Sequence, residues 1–123
     1  MNPLRIGARL RVAAFIAVCT ALSTPSLSAP RYDGVWSVSL VTKKGDCIAS
    51  YRYPIQITHG VVANGGALVI DVHGKVAADG AVTVLVSHGE TRAAGAGHLS
   101  ASAGSGSWRG GGCSGSWTAE RRS

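Results

Sequence analysis

The triplet Gly-x-Trp occurs three times, at Gly34–Trp36, Gly106–Trp108 and Gly115–Trp117, and the last two flank Cys113 in the closing stretch Gly104–Arg122. Residues two apart in a strand share a face. Each glycine therefore leaves space on its own face for an indole to lie across the sheet. The same device stands at the start and at the end of the patterned part of the chain. A sheet whose last strands return to its first, tied through Cys47 and Cys113, is the fold these triplets predict.

The first 28 residues read as an address. Arg5, Arg9 and Arg11 give a positive start, Val12–Leu22 is an apolar run of eleven, Pro25 breaks it, and Ser26-Leu27-Ser28 offers small residues for cleavage before Ala29. The run is too short for a lasting membrane span. Cys19 lies inside it behind Val18, where lipid attachment wants a small residue. We expect a signal peptide over 1–28, a single β domain over 29–123, and export to the periplasm or the medium.

Sixteen of the 17 glycines follow residue 28, with no Gly-x-y period. Val, Ile, Leu, Trp and Tyr are spread through the same segment, so turns and close sheet packing account for the glycines. Without the three arginines of the leader, nine basic residues face six acids. No basic stripe is clustered in the sequence and no stacking aromatic motif accompanies it, so nucleic acid is not an expected partner. Cys47 and Cys113 remain as an even pair and predict a disulfide in an oxidising setting.

From Val35 the apolar pattern has period two and nowhere 3.6. Trp36, Val38 and Leu40 alternate with polar neighbours, and Thr42–Asp46 reads as a turn. Tyr51, Tyr53, Ile55 and Ile57 follow, with Pro54 marking a bulge or a seam. A short piece from Val61 stops at Asn64-Gly65-Gly66. Further strands are expected over Ala67–Ala77, around Val82–Val86, over Arg92–Ser102 with its small side chains, over Gly104–Arg109 and over Cys113–Arg121. The fold class predicted is all-β: an antiparallel meander of seven to eight strands closing into a small barrel. A β-sandwich is the alternative. The segment Gly95–Ala103 is too small to fill a core, so tryptophans and tyrosines must cover it.

Candidate chemistry is sparse. By strand parity His59 and His88 face inward at strand ends, where they are weak candidates for a metal or haem site at a barrel mouth, while His73 and His98 face outward. There is no His-x-His pair and no Cys-x-x-Cys-His, and no cofactor is expected. Asp71 and His73 form a further pair on one face. Ser114 resembles a nucleophile elbow only until Ser116 is found where Gly-x-Ser-x-Gly needs glycine. The six acids nominate no carboxylate pair, and we expect no enzyme. Trp36, Tyr51, Tyr53, Trp108 and Trp117 alternate into the sheet and either line a site for a small apolar ligand or fill the interior.

The stretches Asp33–Thr42, Lys44–Cys47 and Ser50–Pro54, with the closing Gly-Ser-Trp-Arg-Gly and Cys-Ser-Gly-Ser-Trp-Thr-Ala-Glu-Arg-Arg122, resemble a family of small, uncharacterised exported proteobacterial proteins. Some of its members carry a label of haem utilisation or adhesion. The resemblance implies secretion and carries over no functional residue. In architecture alone, the Gly-x-Trp opening and single disulfide are similar to avidin-like and lipocalin-like barrels and to periplasmic barrel inhibitors of metalloproteases. The function expected is that of an exported, non-enzymatic barrel binding a small apolar molecule or a protein surface. The alternatives are a haem or metal carrier and a structural envelope protein without a ligand.

Overall fold

A computed structural model describes residues 30–123; the expected signal peptide over 1–28 and Cys19 lie outside the described residues. A single 3-10 turn, Pro30–Tyr32, precedes eight strands: β1 (Gly34–Lys44), β2 (Ser50–Thr58), β3 (Val61–Asn64), β4 (Asp71–Val76), β5 (Ala81–His88), β6 (Thr91–Leu99), β7 (Ala103–Gly110) and β8 (Cys113–Arg121). Each strand pairs with the next, and β8 returns to β1, so the meander closes into an antiparallel barrel. Closure excludes the sandwich. The seam runs from Trp36 opposite Arg121 to Lys44 opposite Ser114. Cys47, in the loop after β1, is bonded to Cys113 at the head of β8, with their Cα atoms 6.2 Å apart.

The triplets at the end of the chain pair reciprocally. Gly106 stands opposite Trp117 and Trp108 opposite Gly115 across β7 and β8. Each glycine therefore receives the other triplet's indole. A Cβ on Gly106 would sit 2.7 Å from the Trp117 ring, and one on Gly97, in the next strand, 2.6 Å from it. That single indole covers the small-residue strand β6. Its Nε1 donates to the carbonyls of Ala96, at 3.2 Å, and Ser107, at 3.1 Å.

The two ends of the barrel differ. At one end Trp36 is completely buried and Ile57 and Val62 nearly so. The Trp36 indole donates to the Tyr32 carbonyl at 2.9 Å, and the Arg121 guanidinium lies 5.2 Å over its ring. Arg121 also donates to the carbonyls of Asp33 and Arg31. The Asp33 carboxylate accepts the backbone N–H groups of His59, at 2.7 Å, and Gly60, at 3.2 Å. These bonds hold the first turn across the barrel end as a floor. The other end, with the loops after β1, β3, β5 and β7, is the mouth.

Two strand boundaries differ most from the sequence reading, and β6 ends at Leu99 rather than at Ser102. Thr42–Lys44 continue β1 rather than turning, because β8 supplies partners as far as Ser114. Ala67–Ile70 form a loop, not a strand, and β4 begins only at Asp71. The cause is Asn64. Its Nδ2 donates to the carbonyls of Leu68, at 2.8 Å, and Ile70, at 3.1 Å, while its Oδ1 accepts from Gly66 N–H and from the Tyr53 hydroxyl. A side chain thus takes the bonds that a neighbouring strand would have made. Pro54 stands where β3 leaves β2: the last β2–β3 pair is Ile55 opposite Asn64, and beyond it Gly65 N–H reaches the Pro54 carbonyl at 3.2 Å. Its missing N–H falls on the side where the ladder has already ended.

Candidate functional site: an apolar chamber below the mouth

Inside the barrel lies a cavity of about 250 Å³. Strand alternation builds it: Val38 and Leu40 from β1, Ile55 from β2, Val84 and Val86 from β5 and Ala93 from β6 all turn inward onto it. These side chains face the interior and yet are only partly buried, in contrast to the sealed floor. Interior glycine explains the space. Val84 is paired with Gly95, and a Cβ on Gly95 would meet nothing closer than 3.6 Å.

All five aromatic residues singled out from the sequence line this chamber. Trp36 forms its base, Trp108 and Trp117 one wall, and Tyr51 and Tyr53 the side beneath the mouth, with their rings stacked 6.3 Å apart at 11°. They line the interior without filling it. Sequence reasoning named these aromatics but not Val84, Val86, Ile70 or Ala93, whose inward parity was visible and whose importance was not.

The lining offers almost nothing polar. Each indole N–H already donates to a backbone carbonyl, Trp108 to Val41 at 3.2 Å like the other two to theirs. The Tyr53 hydroxyl donates to Asn64 Oδ1 at 2.7 Å and accepts from Leu68 N–H at 3.0 Å. A guest in the chamber therefore meets hydrocarbon and aromatic faces, and its buried part must need no hydrogen bond.

At the mouth the surface stays apolar. Ile48 is 70% exposed on the loop after β1, and Leu68 and Val69 are 48% and 88% exposed on the loop after β3. Tyr51 lies half-exposed beneath them. The loop after β3 is held from both sides, by Tyr53 and by a 3.0 Å contact between His88 Nδ1 and the Val69 carbonyl.

The histidine pair is not brought together. His59 sits in the β2–β3 turn at the floor, with a left-handed backbone at φ 53°, and His88 ends β5 at the mouth, so the two stand at opposite ends of the barrel. The expected shared mouth site is thereby corrected: parity placed both inward but could not say that their strand ends face opposite directions. No group of three or more His, Cys, Asp or Glu is placed to hold a metal ion among the described residues. His73 and His98 are exposed on the outer wall. No helix among the described residues is long and apolar enough to cross a membrane. Comparison with protein-family models, with curated proteins and with solved structures finds no match to this chain.

Proposed function

We propose that the chain is an exported, non-enzymatic β-barrel that binds a small apolar molecule in its interior. The chamber carries this reading. At about 24 cal/mol per Å³, a dry cavity of this size forgoes on the order of 6 kcal/mol of stability, comparable with the whole stability of many small domains. Apolar cavities of this kind stay dry and take apolar guests. The disulfide and the leader-like first 28 residues support an exported setting.

Size limits the guest. At roughly 30 Å³ of liquid volume per small group, the chamber has room for about eight carbon-sized groups. With about 0.8 kcal/mol per buried methylene, such a guest binds at a dissociation constant on the order of tens of micromolar. A porphyrin is far larger, which together with the separation of His59 and His88 weighs against the haem carrier. Native mass spectrometry of the protein purified from periplasm or medium tests the proposal. A small added mass lost on denaturation is expected. A bare mass that stays bare after incubation with p-xylene, which has eight carbons, would contradict it and leave the structural role.

A further inference from the structure

We infer that the outer wall of the barrel carries a second binding site, independent of the chamber, for an anionic polysaccharide. Cations scattered through the sequence are gathered there by the topology. A broad groove of about 1340 Å³ crosses the outer face, lined by His73 and Lys75 from β4, Arg109 from β7, and Lys43 and Lys44 from the end of β1. The lysine pair reaches it through a step in register. β1 gains one residue on β8 between Thr42 and Lys44, and both lysines line the outer groove although alternation alone would turn the second inward.

Charge decides the partner's sign. Lys43, Lys44, Lys75 and Arg109 bring four positive charges to the groove, and no Asp or Glu lines it. All nine basic and six acidic residues after the leader leave a net of only +3, so the surface outside the groove is net negative. The nearest acids in sequence, Asp46 two residues after Lys44 and Asp71 two residues before His73, are not part of the lining. Among the described residues the one ion pair is Arg122 with Glu120, at 3.9 Å, so none of the groove cations is paired there. Like charges collected without counter-charges form a field that draws in an anion.

The floor decides the partner's shape. Registered pairs run Lys75, Thr83, Ala96, Ser107, Ser116 across five strands, and beside them His73, Leu85, Ala94, Arg109, Ser114, Lys44, with Leu85 exposed on the floor. At about 4.8 Å per strand and 3.4 Å per residue, Lys75 and Arg109, three strands and two residues apart, are roughly 16 Å from each other along the wall, a spacing suited to repeated charges on an extended chain. Short hydroxyl side chains let such a chain lie flat and offer partners to sugar hydroxyls. An acidic peptide has no open strand edge here to pair with, since the barrel is closed. A nucleic acid finds only the His73 imidazole to stack on, because the other aromatic residue of the lining, Trp108, faces the interior.

Affinity electrophoresis through alginate, a linear carboxylated polysaccharide, with neutral dextran as reference, tests this at about 50 mM salt, where exposed charges act over more than 10 Å. Retardation by alginate alone is expected, and Lys75→Ser with Arg109→Ser should weaken it about tenfold or more. Arg52→Ser, outside the groove, and Val86→Phe, inside the chamber and not part of the groove lining, should leave it unchanged, which separates this site from the interior one. Four results overturn the inference: no retardation, wild-type retardation of the double variant, equal loss with Arg52→Ser, or tighter binding of an oligonucleotide or of polyglutamate at matched charge. Circular dichroism confirms folding of each variant, whose changed side chains in the groove are all exposed.

Discussion

Single atoms decide much of this barrel at its glycines and indoles. A Cβ on Gly106 would stand 2.0 Å from the Ala96 carbonyl oxygen, whereas one on Gly95 finds ordinary room. Gly106→Ala should therefore cost roughly 2–3 kcal/mol by overpacking. Gly95→Ala should be neutral or stabilise by up to about 1 kcal/mol through the unfolded chain. Urea unfolding of the two variants checks the contrast, and equal effects would sink it. Trp36→Ala removes the floor's central side chain and should cost about 3–5 kcal/mol in the same assay. That each glycine makes room for an indole was legible because both lie on one strand face in the sequence. Which glycine would meet which ring was not, since register belongs to the strand pair and not to either strand alone.

Among the elements, β3 is the weak member. Its ladder with β4 has only two registered pairs, Val61 with Lys75 and Val62 with Gly74. Hydrogen exchange should therefore release the amides of residues 64–70 well before those of β7 and β8, the opposite order being incompatible with this topology. Tyr53→Phe removes the hydroxyl shared by Asn64 and Leu68 and should cost about 1–2 kcal/mol, with faster exchange confined to that loop. The disulfide acts at the mouth: its cysteines are 66 residues apart, a loop worth on the order of 4 kcal/mol in the chain-entropy model. Reduction should lower the melting temperature without loss of the β-sheet spectrum at low temperature. Strand existence and order were readable from the period-two pattern and from the polar, glycine-containing breaks between its segments. The loop at Ala67–Ile70 was not, because Leu68 and Ile70 keep the alternation of a strand while the Asn64 side chain takes the backbone bonds.

For the molecule as a whole, the sequence carried the barrel, its seam and its staple further than it carried either site. The aromatics were visible as inward residues, but whether they fill or line depends on the volume left by Gly95, Ala93 and the valines, a property of the closed barrel. The groove cations lie far apart in sequence and meet only once β4, β7 and the end of β1 share one wall. The central claim is that the chamber accepts an apolar guest. Its most direct test is a titration of p-xylene, an eight-carbon guest, followed by tryptophan fluorescence, since Trp36, Trp108 and Trp117 all line the chamber. Saturable one-to-one binding, at a dissociation constant on the order of tens of micromolar, should vanish in Val84→Phe while that variant keeps or gains melting temperature. Unsaturable quenching, or identical binding by a folded Val84→Phe, would contradict the account.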